Sequence, residues 1–255
     1  MKINEVYNLI DGFAPFKLSD EFVKVENGYD NSGILLPLTE EVTGVVFALD
    51  LTTDAVNLAI KEGANLIVTH HPAIYAPISA ISENSAIYLA LKNKIGVISA
   101  HLNLDVARFG IDYHLANGLG ANEQQILTKL SSENTGYGRV FGVSGTSGEL
   151  KALYESVFKT DKTVLYGNPN LKIKKVATFC GSGLGDAEID MVEADLYLSS
   201  DIKHHIILAL LERGKQVLEV THYSSEAYGF EKFYEVMKEK LNGIKAVFCE
   251  NEIML

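Results

Sequence analysis

The sequence predicts an α/β protein of two lobes, each with βαβ units and a largely parallel or mixed sheet. Short apolar runs typical of buried strands alternate with amphipathic helical stretches along the 255 residues. Ionisable residues directly follow several of these runs, and open α/β sheets place their functional residues at the carboxyl ends of strands. Hydrophobic residues make up 47% of the chain, which is enough for a large core.

In the first half, residues 1–14 have the spacing of an amphipathic helix. The elements predicted after them are a strand at 45–49, a helix at 54–62, a strand at 65–69, a helix at 85–93, a strand at 96–100 and a helix at 111–119. Gly63 marks the end of the helix before it. Pro72 cannot donate a ladder hydrogen bond, so the strand at 65–69 must stop before it.

A glycine-rich region separates the two halves. Five glycines lie between residues 136 and 148 in a stretch of weak periodicity, so we place a linker or crossover near 120–150. The predicted lobes are therefore residues 1–125 and 126–255. The elements predicted in the second lobe are a helix at 149–158, a strand at 176–180, a helical segment at 186–193, a strand at 196–199, a helix at 201–213, a strand at 217–220, a helix at 226–241 and a strand at 246–249.

Charge and composition exclude several classes of protein. A formal charge of −11 repels phosphate groups, so neither nucleic acid nor an anionic membrane is an expected partner. The start of the chain lacks the basic and apolar regions of a signal peptide, and no apolar run approaches the ~20 residues that span a bilayer. Cys180 and Cys249 are too isolated for a disulfide framework or a thiolate zinc site. We therefore expect a cytoplasmic protein.

Histidines cluster in the predicted strand-end segments. Six of the seven histidines lie there, namely His70, His71, His101, His204, His205 and His222. A lone histidine is more often a core or surface residue than a metal ligand, but clustering favours ligands. Mixed imidazole and carboxylate ligands suit zinc, iron or manganese and disfavour calcium and magnesium.

Carboxylates accompany two of these histidines at the same spacing. Asp105 follows His101 by four residues and Glu226 follows His222 by four, which brings each pair to one side of a helical turn. For His101 and Asp105, a charge interaction at a helix end is the alternative interpretation.

The adjacent histidines His70 and His71 favour a site with two metal ions. Neighbouring side chains in a strand project to opposite sides, so the pair would serve two neighbouring ions. Two divalent cations about 3.5 to 4 Å apart need a bridging anion, which Glu226 or Asp105 could supply. We predict this site in the cleft between the lobes, where strand ends of two facing halves would converge.

The two halves also share a short pattern. Residues 64–66 and 194–196 each open a strand, and about one βαβ length later each half has a strand that ends in His-x-x-x-carboxylate. Because the matched segments are short, an internal duplication and a coincidence both remain open.

Two further segments have alternative interpretations. Gly181, Ser182 and Gly183 could expose backbone N–H groups to a phosphate, but a tight turn that packs a helix on a strand is the alternative. The loop matches neither the dinucleotide fingerprint nor a Walker loop. Asp201 and His205 follow another strand end, where contacts to a substrate and solvated charges at a helix start are equally compatible.

Seven segments carry a resemblance to a known family. They are YDNSG at 29–33, ALDLT at 48–52, VTHHP at 68–72, AHLNLD at 100–105, CGSG at 180–183, SDIKHH at 200–205 and THYSSE at 221–226. In this order they resemble the Nif-three-like family, whose bacterial members are often named GTP cyclohydrolase I type 2 homologues. The chain departs from the usual pattern before Asp201, where Ser199 and Ser200 replace Thr-Gly, and at Thr221, where Gly is common.

The resemblance implies a site with two divalent metal ions and a toroidal homohexamer whose sites face an internal cavity. The metal ligands that it implies are His70, His71, Asp105, His222 and Glu226, with His101 close by. The extra central domain of longer relatives is not expected, because the region 120–170 is too short for it.

Ligand set and resemblance together predict a metal-dependent hydrolase, GTP cyclohydrolase-like, that acts on a nucleotide or a related heterocyclic small molecule. Metal ions suit hydrolysis because they lower the pKa of bound water towards about 7. A non-catalytic metal-binding protein, such as a carrier or regulator, is the alternative. It remains open because no nucleophile or general base stands out beyond the ligands.

Overall fold

The computed structural model describes residues 1–251 and 254, which form two compact units. The first unit comprises Met1–Ala107 and Phe230–Glu250, and the second comprises Arg108–Gly229 with Asn251 and Met254. Each unit contains a sheet with both parallel and antiparallel strands, so the predicted α/β fold class with two mixed sheets is confirmed. The lobe boundary at residue 125 stays a prediction.

Strands and helices occupy most of the described residues. The strands are β1 (Gly33–Leu36), β2 (Gly44–Ala48), β3 (Leu66–Thr69), β4 (Gly96–Ser99), β5 (Gln125–Lys129), β6 (Gly136–Thr146), β7 (Val164–Tyr166), β8 (Lys172–Thr178), β9 (Leu196–Ser200), β10 (Gln216–Val220) and β11 (Lys245–Cys249). The helices are α1 (Ile3–Phe13), α2 (Lys17–Glu26), α3 (Thr53–Glu62), α4 (Ala86–Lys92), α5 (Leu102–Asp105), α6 (Ile111–Gly118), α7 (Ser147–Val157), α8 (Glu188–Met191), α9 (His204–Glu212) and α10 (His222–Lys240). None of the helices in this part of the chain is both long and apolar enough to cross a membrane.

The sheet of the first unit has the strand order β1-β4-β3-β2-β11. β2, β3, β4 and β11 run parallel, and β1 pairs antiparallel with β4. Every residue of β2, β3 and β4 is buried. This burial explains why their sequences are nearly continuous apolar runs, since central parallel strands are covered on both faces.

Local signals start and end the helices that link these strands. The Thr52 side chain accepts a hydrogen bond from the backbone N–H of Ala55 at 3.1 Å and so caps α3. Gly63 ends that helix with a φ of 68°, a left-handed conformation that glycine adopts readily. Thr146 and Glu149 form a capping box at the start of α7.

The sheet of the second unit has the strand order β5-β6-β8-β9-β10-β7. β8, β9 and β10 run parallel, and the other three strands pair antiparallel. The glycine-rich region that we interpreted as a linker holds β6, which pairs with both β5 and β8. A Cβ atom on Gly136 would lie 2.2 Å from the carbonyl oxygen of Thr128. Glycine at this position therefore lets β5 and β6 approach each other closely.

A buried ion pair connects three elements of the second unit. Arg139 Nε donates to Asp112 Oδ2 at 2.8 Å, and the two residues are 2% and 0% exposed. Arg139 Nη2 also donates to the carbonyl oxygen of Gly136 at 3.0 Å, and the backbone N–H of Cys180 donates to Asp112 Oδ1 at 3.4 Å. The pair therefore joins α6, β6 and the segment that follows β8.

Parallel strands in both units end next to the residues that the sequence singles out. In the first unit, Asp50, His70 and His101 follow β2, β3 and β4. In the second unit, Asp201 and His222 follow β9 and β10. The carboxyl ends of parallel strands share one edge of a sheet, so each unit collects ionisable side chains at one edge.

Candidate metal centre

Three histidines of the first unit form a cluster, which we call the histidine cluster. His70, His71 and His101 each offer a ring nitrogen, and these nitrogens lie within 4.8 Å of one another. His70 is fully buried, whereas the side chains of His71 and His101 are 24% and 18% exposed. The cluster therefore has one ring in the core and two rings that are partly exposed.

The backbone after β3 brings the rings of His70 and His71 together. Because β3 ends at Thr69, both histidines lie beyond the strand, and both backbone N–H groups donate to the carbonyl oxygen of Leu49, at 3.1 and 2.9 Å. Their ring centroids are 4.8 Å apart. The expectation that the two side chains project to opposite sides was wrong, because strand alternation does not extend into this bend.

Each imidazole of the cluster is fixed by a hydrogen bond from Nδ1. His70 Nδ1 donates to the carbonyl oxygen of Ala100 at 2.9 Å. His71 Nδ1 donates to Asp50 Oδ1 and His101 Nδ1 donates to Asp30 Oδ1, both at 2.7 Å. A neutral imidazole has one donor and one acceptor nitrogen, so in the neutral form of each ring the lone pair lies on Nε2. This is the tautomer that metal-ligating histidines adopt when an acceptor lies behind them.

Three side chains donate hydrogen bonds to the carboxylate of Asp30. Burial alone would raise the pKa of Asp30, but hydrogen bonds from His101, Ser19 and Ser32 outweigh burial and lower the pKa to about 2. The Ser32 hydroxyl donates to Asp30 Oδ2 at 2.6 Å and accepts from the backbone N–H of His101 at 3.0 Å. Asp30 is therefore ionised at neutral pH and holds the His101 ring in one orientation.

Asp105 adds a carboxylate to the same unit. It ends α5, is 4% exposed, and its Oδ1 lies 3.5 Å from His70 Nε2. A buried carboxylate is costly unless it is paired or coordinates a metal. His70, His71, His101 and Asp105 thus form a set of imidazole and carboxylate donors that could bind a metal ion.

The second unit holds its own pair of donors in the first turn of α10. His222 Nε2 lies 3.1 Å from Glu226 Oε1, as their four-residue spacing in a helix requires. Glu226 is 3% exposed, and the side chain of His222 is 36% exposed. His222 Nδ1 donates to Asp201 Oδ2 at 2.6 Å, so a carboxylate orients this ring as carboxylates orient those of His71 and His101.

Gly181 makes room for this pair. Its φ is 56°, and a Cβ atom there would lie 2.6 Å from Glu226 Oε1 and 3.3 Å from the His222 ring. The backbone N–H of Gly181 donates to Ser225 Oγ at 3.0 Å, and that of Gly185 donates to Glu188 Oε2 at 2.9 Å. Of the candidate phosphate loop Gly181, Ser182 and Gly183, the N–H of Gly181 is thus engaged within the protein.

Replacing Gly181 with alanine should displace Glu226 and weaken metal binding. An alanine at this left-handed φ is strained, which should also lower the free energy of unfolding by about 1–2 kcal/mol. Gly214→Ala is the matched control, since Gly214 has a φ of 73° but a methyl group there would meet no atom of the described residues within 4 Å. Urea unfolding should show a loss for both variants that is at least as large for Gly181→Ala, and titration with zinc should show weaker binding for Gly181→Ala alone. Equal zinc affinities would contradict this assignment.

Replacing Asp50 with alanine should lower metal affinity about 10- to 100-fold, because His71 loses the acceptor that orients its ring. Competition with a chromogenic chelator measures this change. Asp54→Ala is a suitable control, because Asp54 is an exposed aspartate in the first turn of α3. Wild-type affinity in Asp50→Ala would show that the hydrogen bond has no such role.

The remaining candidates differ in their surroundings. His205 Nε2 lies 3.4 Å from Asp186 Oδ2 in an exposed pair, with side chains 60% and 75% exposed, which is typical of solvated charges. Asp201, one of the residues that we expected behind the ligands or next to the substrate, accepts a hydrogen bond from His222 Nδ1. Sequence reasoning missed Asp30 and Asp50, although Asp50 lies two residues after β2, just as His101 lies two residues after β4.

Comparison with known proteins identifies relatives over nearly the whole chain. The model of the family Duf34/NIF3 (NGG1p interacting factor 3) matches residues 1–253. A Clostridium perfringens protein named GTP cyclohydrolase 1 type 2 homolog is 32% identical over 253 residues, which cover 95% of this chain and 93% of the relative.

Solved structures agree with this sequence match. Staphylococcus aureus hypothetical protein SA1388 is similar with a TM-score of 0.87 and 25% identity, covering 98% of this chain and 97% of that chain. Reduced HcgD from Methanocaldococcus jannaschii is similar with a TM-score of 0.77 and 30% identity, covering 98% of each chain. The resemblance of the seven sequence segments is confirmed, and the chain belongs to the Duf34/NIF3 family.

Proposed function

We propose that this protein is a hydrolase that depends on two divalent metal ions and acts on a nucleotide or a related heterocycle. The observation that carries the proposal is the histidine cluster, in which Nδ1 of each ring is hydrogen-bonded to an oxygen acceptor, so that Nε2 is the ligating nitrogen of each neutral ring. Rings fixed in this way are typical of metal ligands, and surface histidines do not need such support. The proposed ligands are His70, His71, Asp105, His222 and Glu226.

The buried negative charge of the carboxylates supports metal binding by these residues rather than a purely structural role. The proposed carboxylate ligands Asp105 and Glu226 are 4% and 3% exposed, and burial of anionic side chains is offset when they bind cations. Asp30, Asp50 and Asp201 each accept from a histidine, which raises the basicity of the imidazole and strengthens a metal–nitrogen bond. The donors suit zinc, iron or manganese.

Metal ions at these ligands would supply a water nucleophile at neutral pH and polarise the bond that is cleaved. The protein's part is to hold the ligand atoms in place. His70 lies in the core and is the most constrained ligand, while His71, which is partly exposed, lies next to the space from which a substrate would enter. A nucleotide is the proposed substrate because the Clostridium perfringens relative is named as a GTP cyclohydrolase 1 type 2 homolog.

Metal-loaded protein tests this function directly. We would load the protein with zinc, manganese or ferrous iron, measure metal content, and follow GTP consumption by chromatography. The expected result is two metal ions per chain and turnover that His71→Ala abolishes. His205→Ala is the control and should retain activity, since His205 is an exposed histidine paired with Asp186. If no metal supports turnover that depends on His71, the cyclohydrolase assignment fails.

The same experiment separates an enzyme from a non-catalytic metal protein. Two tightly bound, slowly exchanging ions with turnover would indicate an enzyme. Two ions that exchange rapidly, without turnover, would indicate a metal carrier or regulator. We also propose a homohexamer that acts in the cytoplasm, and sedimentation equilibrium should give a mass six times that of the chain.

A further inference from the structure

We propose that Tyr75 is a stacking surface for a planar heteroaromatic ring of the substrate, next to the histidine cluster. This inference rests on the proposed function and names the part of the substrate that this chain recognises. Tyr75 lies four residues after His71, in the segment between β3 and α4. Segments that join strands to helices at the carboxyl edge of an α/β sheet are where such folds bind ligands.

Contacts fix the ring of Tyr75 beside the cluster. Its centroid lies 6.5 Å from that of His101 at an interplanar angle of 83°. The Tyr29 ring contacts it edge to face, with centroids 5.4 Å apart at 87°. The Tyr75 hydroxyl donates to the carbonyl oxygen of Tyr29 at 3.0 Å. Two ring contacts and a hydrogen bond therefore hold Tyr75 in one orientation.

The same stretch of chain positions Tyr75 and His101. Asp30 accepts from His101 Nδ1, and the next residue, Asn31, donates from its side chain to the carbonyl oxygen of Ile74 at 2.5 Å. Residues 29–32 thus connect the segment that carries Tyr75 to a member of the histidine cluster. A ligand held at the cluster would meet the Tyr75 ring at a defined distance.

Exposure is the observation that points to a ligand. Tyr75 is 50% exposed and Tyr29 is 53% exposed, whereas Tyr154 and Tyr197 are 0% and 1% exposed. An ordered aromatic ring that leaves half its surface open offers a stacking partner at little further entropy cost. Heteroaromatic rings fit best, because every base has a π face that stacks on tyrosine whatever its substituents.

Calorimetric binding of two probes tests the proposal. GTP carries a planar ring, and inorganic triphosphate lacks one while keeping the phosphate charge. We expect wild-type protein to prefer GTP, and Tyr75→Ala to weaken GTP binding by about 5- to 150-fold, the range for loss of one stacked base. Binding of triphosphate should not change. Tyr75→Phe keeps the ring and should bind GTP more tightly than Tyr75→Ala.

Tyr88→Ala is the matched control, because Tyr88 is a 38% exposed tyrosine on α4, and it should bind GTP like the wild type. Three results would overturn the proposal: equal GTP affinity in Tyr75→Ala and wild type, equal loss for both probes, or no wild-type preference for GTP. A lower oligomeric mass in Tyr75→Ala would also overturn it, by assigning the ring to a subunit contact.

Metal content is measured in every titration, and each titration is repeated without added metal. A wild-type protein that holds no metal would contradict the proposed function, while its preference between the probes would still decide on Tyr75. A protein that holds metal without preferring GTP would leave the metal centre standing and remove the stacking surface.

Discussion

Replacing His70 with alanine should reduce metal affinity by more than the roughly 10- to 100-fold that loss of a hydrogen-bond partner behind a ligand costs. His70 is the fully buried member of the histidine cluster, and its Nδ1 is fixed by the carbonyl oxygen of Ala100. The variant loses the ligand nitrogen itself and not only the group that orients it. Metal analysis after dialysis, with zinc titration against a chelator, measures the loss.

The matched control for His70→Ala is His205→Ala, which removes an exposed imidazole and should keep wild-type metal content. Because His70 is buried, circular dichroism must show that the variant folds before its affinity is compared. His71→Asn gives a second measure, since His71 is partly exposed and its loss should disturb folding less. Wild-type affinity in both folded variants would remove the histidine cluster as a metal site.

Replacing Arg139 with methionine should lower the free energy of unfolding by about 3–5 kcal/mol. The change leaves Asp112, which is fully buried, without the guanidinium that donates to it at 2.8 Å. Domains of ordinary stability unfold at a cost of about 5–15 kcal/mol, so this loss is a large fraction of the total. Urea unfolding followed by circular dichroism at constant pH measures it.

Two comparisons make the Arg139 prediction specific. Arg213→Met removes an exposed arginine that pairs with Asp190 at 2.8 Å, and it should cost at most about 1 kcal/mol. The double variant Arg139→Met with Asp112→Leu should be more stable than Arg139→Met alone, because no unpaired buried charge remains. Similar losses of unfolding free energy for Arg139→Met and Arg213→Met would show that burial does not make the Arg139–Asp112 pair more important for stability than an exposed pair.

Most of the sheet strands near the site follow from local sequence. β2, β3 and β4 were predicted within a residue or two, because buried parallel strands are short apolar runs with sharp ends. β6 was not predicted as a strand. Its glycines hide the usual alternation, and they are needed because neighbouring groups approach as closely as 2.2 Å to the place of a Cβ at Gly136. That crowding is a tertiary property.

The candidate site divides in the same way. His70, His71, Asp105, His222 and Glu226 were named from strand ends and four-residue spacing, and these features are local. Asp30 and Asp50, which lie behind His101 and His71, were not named as site residues, because Asp30 lies 71 residues from its partner and Asp50 lies 21 residues from its partner. The predicted orientation of the His70 and His71 side chains was wrong, because the backbone bends after β3. Hydrogen bonds from both residues to the carbonyl oxygen of Leu49 set this bend.

The sequence by itself determined the α/β class, the order of most elements, and the chemistry of the donors, because each depends on residues close together along the chain. The tertiary structure alone decided that β11 completes the first sheet beside β2, that Nδ1 of each ring in the histidine cluster is bound to an acceptor, and that Tyr75 lies next to His101. These features depend on contacts between distant residues, which hydrophobic periodicity does not encode.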